Sequence, residues 1–116
     1  MEIKEYFTDK EIDCRCGCGL EPDRRATERL YAFRIIMGKP VKVTSGARCK
    51  AHNAHVGGAA NSPHLLGAFD VDIAPEDEWR AIQAAQAVGF TGIGIKNNVF
   101  MHLDDQHGKP TVWTYT

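Results

Sequence analysis

Apolar and polar positions follow two different periods along the chain. Apolar residues recur at helical spacing over 24–37 and 75–88, and these segments predict the two main helices. We expect the inward face of the first helix to carry Ala26, Leu30, Tyr31, Phe33 and Ile36. We expect the inward face of the second to carry Trp79, Ile82, Ala85 and Val88. Gly38 and Gly89 follow the two segments, as glycine commonly does where a helix ends.

Short segments with a period of two predict β-strands. Residues 41–45 and 68–73 alternate in this way, and the second segment places Asp70 and Asp72 on the face opposite Phe69. Three further strands are predicted over 91–95, 99–103 and 111–115. Long helices separated from clusters of short strands are typical of an α+β fold. We therefore expect a small antiparallel sheet flanked by helices.

The ends of the smaller elements are less regular. Thr8 and Glu11 have the spacing of a capping box, which predicts a short helix near the start. A second short helix is plausible over 49–56, inside a segment rich in Gly, Ala, Asn and His. The rest of 46–66 reads as a long loop, and loops of this length in compact domains are usually functional.

Composition limits the class of protein. The chain has 116 residues, 43% of them hydrophobic, which is enough for a single domain spanning residues 1–116. A net charge of -1 gives no basic field for nucleic acid. No apolar run approaches the roughly 20 residues of a membrane-spanning helix. The first residues do not resemble a signal peptide, so we expect a protein that is made in the cytoplasm and needs another factor to release it. We also expect a monomer.

Four cysteines, at positions 14, 16, 18 and 49, leave several interpretations open. The first three form C-R-C-G-C, whose spacing lacks the paired C-x-x-C of common structural zinc sites. A second metal, a cross-link from Cys49 to one of the other three, and simple free thiols are all compatible with the sequence. A reducing compartment favours thiols over disulfides.

Two histidines and nearby carboxylates suggest a metal centre. His64 lies beside the start of a predicted strand, Asp70 lies within it, and His102 lies on a later strand. If these strands are neighbours, the three side chains share one face of the sheet. A catalytic zinc ion takes three such ligands and keeps one position open for water. Without further pattern, a histidine among Gly and Pro is more often a loop residue than a ligand.

The wider pattern resembles the zinc D-Ala-D-Ala carboxypeptidase and L-alanyl-D-glutamate endopeptidase family, which shares a fold with the hedgehog signalling domain. The similarity is closest to its small single-domain, phage-endolysin-like branch. It covers roughly residues 6–105 and rests on several motifs together. These are F-T-D-K-E, C-R-C-G-C-G, P-V-K-V-T-S-G-A-R-C, H-N-A-H-V-G-G-A-A-N-S-P-H-L-L-G, G-F-T-G-I-G-I and F-M-H-L-D.

The resemblance implies a set of site residues. The family motif S-x-H-x-x-G-x-A-x-D makes His64 a zinc ligand and places Ser62 beside the substrate, and His102 is implied as the last ligand. Arg48 corresponds to the family arginine that contacts the substrate or the developing oxyanion. The alternative for Ser62 is a residue that only sets the turn before His64, and for Arg48 a surface salt bridge.

The carboxylate ligand departs from the family spacing. The family places Asp seven residues after the first His, where this chain has Val71. Reading 67–70 as the motif with one residue deleted makes Asp70 the ligand and leaves the following segment in register. Asp72 is the alternative ligand, although that choice needs an insertion.

The general base is open. Relatives often carry an acid or a histidine just before the last zinc ligand, but residues 99–101 are Val, Phe and Met. Asp104 follows His102 by two and shares its strand face, so it is a candidate catalytic residue. It either accepts a proton from the zinc-activated water or holds His102 or Arg48 in place. Asp72 and His107 are further candidates.

Other chemistry-bearing residues favour plainer interpretations. His52 and His55 fall where the family has a structural loop, and no triad order supports Ser62 as a nucleophile. Trp79 and Trp113 are expected in the core or covering the sheet. Trp113 and Tyr115 are alternatively expected to line a peptide groove.

The resemblance implies a peptidase with one zinc ion that acts on peptidoglycan stem peptides, in cell-wall lysis or remodelling. The bond is either the terminal D-Ala-D-Ala bond or the L-Ala-D-Glu bond. The alternative is a zinc-containing binding or structural module without catalysis, which the irregular carboxylate spacing and the residues before His102 favour. A different zinc hydrolase on the same fold, such as an amidase, is a third hypothesis.

Overall fold

The computed structural model describes residues 6–14, 18, 20–47, 67–97 and 99–115. The three α-helices within these ranges are α1 Asp9–Ile12, α2 Arg24–Met37 and α3 Glu78–Ala87, and a 3₁₀ turn, Pro75–Asp77, leads into α3. The strands are β1 Lys42–Ser45, β2 Ala68–Asp72, β3 Gly92–Lys96, β4 Phe100–Asp104 and β5 Thr111–Thr114. Each agrees with a predicted segment within a few residues. The short helix predicted over 49–56 lies outside the described residues.

The helix ends follow the local sequence signals. The backbone N–H of Thr8 donates to Glu11 Oε1 at 3.0 Å, and the Thr8 hydroxyl donates to the same oxygen at 3.2 Å. Helix α2 ends at Gly38, which has a φ of 72° and donates its N–H to the carbonyl of Arg34. No helix in the described ranges is both long and apolar enough to cross a membrane.

The five strands form one sheet in the order β1-β2-β4-β3-β5. Neighbouring strands are antiparallel except β3 and β5, which are parallel. The prediction of an α+β fold is therefore confirmed, with one parallel pair in a mostly antiparallel sheet. Strands β3 and β5 are parallel because each of them runs opposite to β4, which lies between them in the sequence.

The apolar core lies between one face of the sheet and the helices. Phe69, Leu103 and Ile93 come from three neighbouring strands and are at most 2% exposed. They belong to the same buried cluster as Leu30 and Phe33 of α2. Because strand side chains alternate, the other face of these strands is left for the polar residues at the intervening positions.

Two predictions about the helix faces are wrong. Trp79 is 74% exposed, and Ile36 is 44% exposed. In α3 the buried residues are Ala81, Ala84 and Ala85, so the inward face is centred on small side chains away from Trp79. The alanines allow close packing at this surface, where a tryptophan would not fit. In α2, Met37 takes the inward position that the pattern assigned to Ile36.

Candidate metal and substrate site

The polar face of the sheet carries one row of residues in direct register. Asp70 on β2 pairs with His102 on β4, and His102 pairs with Gly94 on β3. The next row toward the end of β4 contains Asp104, which pairs with Ala68 and Gly92. The predicted neighbouring strands are thus observed, and they bring Asp70, His102 and Asp104 together.

His102 lies between two carboxylates. Its Nδ1 is 3.2 Å from Asp70 Oδ1, and its Nε2 donates to Asp104 Oδ2 at 2.6 Å. Burial opposes the charged imidazole, but the hydrogen bonds to Asp104 and Asp70 outweigh it and raise the pKa of His102 to about 9. In the metal-free protein at neutral pH, His102 is therefore protonated on both nitrogens.

Asp104 is fully buried and bonded on both oxygens. Its Oδ2 accepts from His102, while its Oδ1 accepts from His107 Nδ1 at 2.8 Å and from the backbone N–H of Gln106 at 2.9 Å. Burial alone would raise the pKa of this carboxyl, but the three donors lower it to about 2. Such a carboxylate fixes the proton of His102 on Nε2, and that leaves Nδ1 as the nitrogen that can bind a metal.

The Asp70–His102 pair has the spacing of two zinc ligands. A tetrahedral zinc ion at about 2.0–2.1 Å from each donor places its ligand atoms about 3.3 Å apart. The observed distance between His102 Nδ1 and Asp70 Oδ1 is 3.2 Å. An imidazole nitrogen and a carboxylate oxygen are also a donor set that suits zinc. The residues present therefore fit a zinc ion, which would displace the Nδ1 proton.

The other predicted site residues, His64, Arg48 and Ser62, lie outside the described residues, as do His52 and His55. The described ranges alone bring together no group of three or more His, Cys, Asp or Glu side chains arranged to hold a metal ion. Two of the three predicted ligands, Asp70 and His102, lie side by side in the described ranges. The zinc-ligand roles of all three residues stay predictions.

Asp72, the alternative carboxylate ligand, lies elsewhere. It pairs with Lys42 on β1 and is exposed. It lines a cleft between β1 and the 3₁₀ turn with Lys39, Ile73 and Asp77 among others. The geometry thus places Asp70, not Asp72, beside His102.

Sequence reasoning missed the partnership of His107 with Asp104. His107 follows β4 in a loop, and its backbone N–H donates to Thr91 Oγ1 at 3.1 Å. Gly92 makes room for the pair, since a Cβ there would lie 2.5–2.6 Å from the carboxylate oxygens of Asp104. The available signal was the glycine at alternate positions of β3, facing the row that contains Asp104.

The structure describes both tryptophans and two of the four cysteines. Trp113 on β5 is half-buried, and its ring lies over Gly94 of β3, so it covers the sheet as predicted. Cys14 is buried and Cys18 is exposed, whereas Cys16 and Cys49 lie outside the described residues. The hypotheses about a second metal or a cross-link stay predictions.

Comparison with known proteins identifies the family of this chain. The sequence profile of Peptidase M15 matches residues 5–104. The zinc D-Ala-D-Ala carboxypeptidase of Streptomyces albus G is 42% identical over 67 residues, which cover 56% of this chain. The aligned region spans only 26% of that relative's length. Since the profile covers most of the chain, including Asp70, His102 and Asp104, the protein belongs to the Peptidase M15 family.

Proposed function

We propose that this protein is a zinc-dependent peptidase that hydrolyses a peptide bond in peptidoglycan stem peptides, in cell-wall lysis or remodelling. Support comes from membership of the Peptidase M15 family and from the similarity to a zinc D-Ala-D-Ala carboxypeptidase. The bond is the terminal D-Ala-D-Ala bond or the L-Ala-D-Glu bond.

The observation that carries the proposal is the pair of side chains at the centre of the sheet. His102 Nδ1 and Asp70 Oδ1 converge at 3.2 Å, and buried Asp104 holds the opposite ring nitrogen at 2.6 Å. A histidine fixed in this way is a preorganised metal ligand. We propose that His64 completes the ligand set. A bound zinc ion would polarise the scissile carbonyl and activate water at neutral pH.

We further propose that Asp104 orients His102 and is not the proton acceptor. An efficient general base has a pKa near the operating pH, whereas in the metal-free protein the pKa of Asp104 is lowered to about 2. Both of its oxygens already accept hydrogen bonds from His102, His107 and Gln106. Arg48 and Ser62 are proposed to contact the substrate, with Arg48 stabilising the developing oxyanion.

A second candidate function is a zinc-containing module that binds peptidoglycan without cleaving it. The observation that favours it is the sequence directly before His102. Val99, Phe100 and Met101 provide no side chain able to accept a proton.

Mass spectrometry separates the two functions. Purified stem peptides are incubated with the zinc-loaded protein, with His102→Ala and His64→Ala as controls. The peptidase predicts loss of one terminal D-Ala, or a cut between L-Ala and D-Glu, that disappears in both controls. Intact peptides together with stoichiometric bound zinc would refute the peptidase and support the binding module.

A further inference from the structure

Strand β5 extends the row of the metal site to the edge of the sheet. Trp113 pairs with Gly94, which pairs with His102, which in turn pairs with Asp70. Residues in one row across neighbouring strands lie on the same face. The side chain of Trp113 is therefore on the face that carries the candidate zinc ligands, two strands away from His102.

Gly94 allows the rings of β5 to lean across the sheet. A Cβ at this position would lie 2.7 Å from Trp113 Cε2 and Nε1, and 2.8 Å from Tyr115 Cε2. Any larger residue would therefore push both rings away. The indole instead reaches the histidines, with its centroid 5.5 Å from the His102 ring and 5.1 Å from the His107 ring.

Three aromatic side chains continue this surface outward, and we call Phe100, Trp113 and Tyr115 the aromatic shelf. Tyr115 lies with its centroid 6.2 Å from that of Trp113 and 5.2 Å from that of Phe100. Tyr115 is 40% exposed, and the other two rings are half-buried. The shelf thus begins in contact with a candidate zinc ligand and ends open to solvent, as one wall of a substrate groove would.

The charges around the shelf limit what it can hold. Burial raises the pKa of Tyr115, a hydrogen bond from Trp113 lowers it, and the negative charges of Asp70 and Asp104 raise it further. The Tyr115 hydroxyl therefore stays neutral. The faces of aromatic rings also carry negative partial charge. An aliphatic chain or peptide plane is favoured on such a surface, and a carboxylate is disfavoured.

We propose that the aromatic shelf positions the substrate by holding an uncharged, aliphatic part of the peptide beside the scissile bond. The proposal rests on the proposed peptidase function and adds a selectivity to it: an acidic residue in contact with the shelf is disfavoured. The carboxylates of the substrate then lie on the other side of the metal site, away from β5.

Steady-state kinetics test the shelf. The substrate is a synthetic pentapeptide, L-Ala-γ-D-Glu-L-Lys-D-Ala-D-Ala, which contains both candidate bonds. Tyr115→Leu and Trp113→Leu are compared with Val112→Ala, a matched control on the same strand whose side chain is 51% exposed on the opposite face. Loss of uniform binding raises KM and leaves kcat nearly unchanged. We expect KM to rise about 10-fold in both shelf variants, as contacts of one aromatic ring would give.

Two further measurements separate positioning from a structural role. The zinc content and thermal midpoint of each variant are recorded, and Tyr115→Phe, which keeps the ring, is expected to retain the KM of the parent. Replacing each alanine of the pentapeptide in turn by glutamate of the same chirality is expected to raise KM in the parent at the position that contacts the shelf, and to have less effect at that position in Trp113→Leu. Values of KM in the shelf variants equal to that of Val112→Ala, with zinc bound, would overturn the proposal while leaving the peptidase intact.

A binding assay keeps the test independent of turnover. The chain has two tryptophans, and Trp79 lies 74% exposed on α3, so Trp79→Phe leaves Trp113 as the sole indole reporter. The zinc-loaded Trp79→Phe protein is titrated with the pentapeptide up to about 1 mM, the upper end of common KM values. Saturable change in Trp113 emission is expected even if no bond is cut. Unchanged emission would overturn the proposal, and saturable change without cleavage would refute the peptidase alone.

Discussion

The two faces of the sheet are built from the same strands but do different work. On β4, Met101 and Leu103 point into the core, and the residues between and after them, His102 and Asp104, form the candidate site. The apolar face stabilises the fold because it removes apolar surface from water. The polar face contributes through a few hydrogen bonds whose geometry also sets the chemistry. This division suggests that stability and metal binding can be altered separately, one face at a time.

Removing a ligand from the polar face should have the largest effect. In His102→Ala, the nitrogen proposed to bind zinc is gone, and the affinity for zinc should fall about 10²–10³-fold, since about 10–16 kcal/mol is shared by four ligands in structural zinc sites. Isothermal titration with zinc measures this loss. Val112→Ala serves as the control and should bind zinc like the parent protein. A His102→Ala protein with parental zinc affinity would show that this row is not the metal site.

On the apolar face, Leu103→Ala should mainly reduce stability. Leu103 is 0% exposed, and truncating a buried leucine costs about 2–5 kcal/mol in the free energy of unfolding. Urea unfolding of the metal-free protein measures this cost. The zinc affinity of the folded Leu103→Ala protein should change by less than about 5-fold, or about 1 kcal/mol, toward the low end of the interaction energies of neighbouring residues. The reason is that Leu103 lies on the opposite face of β4 from His102 and Asp104. A much larger loss of zinc affinity would mean that the two faces are coupled.

The alternation that creates these faces was readable from the sequence, and the contacts across them were not. Period and turn signals located α2 and all five described strands, because local residue preferences largely determine them. The inward faces of the helices depended on packing, so Trp79 was misplaced where small alanines let α3 approach its neighbours. The Asp70–His102 pairing followed once the strands were assumed adjacent. The His107–Asp104 bond did not, because the loop after β4 has no periodic pattern.

The buried pair of His102 and Asp104 should give the metal-free protein a pH-dependent stability. Hydrogen bonds to Asp104 and Asp70, opposed by burial, raise the pKa of His102 from 6.5 to about 9, so its contribution is complete below pH 6.5 and is lost as pH rises through 9. The pKa of Asp104, lowered from 3.8 to about 2, gives a contribution that is complete above pH 3.8 and is lost as pH falls through 2. Stability should therefore be highest between these limits.

The two shifts describe one shared interaction, so their energies are not added. We expect a loss of about 3 kcal/mol on the alkaline side of the plateau and about 2 kcal/mol on the acid side, given about 1.4 kcal/mol for each pKa unit. Urea midpoints of the metal-free protein from pH 2 to 10 measure the profile, with Asp104→Asn as the control that should flatten both limbs. A profile for the parent protein as flat as that of the control would contradict the buried ion pair.

His107 offers the finest test of the polar face, because it acts on the metal site only through Asp104. Its Nδ1 donates to Asp104 Oδ1 at 2.8 Å. The candidate ligand pair, His102 and Asp70, lies on the side of the other Asp104 oxygen, Oδ2. Partners of metal-bound histidines are typically worth 10–100-fold in metal affinity, so His107→Ala, one step further out, should cost about 10-fold. His107→Gln keeps an N–H donor and should restore part of this loss. Gln106→Ala is the matched control, since its backbone N–H, the group that donates to Asp104, remains in place. If His107→Ala and Gln106→Ala bind zinc equally well, the orientation of His102 depends on Asp104 alone, and His107 does not contribute to it.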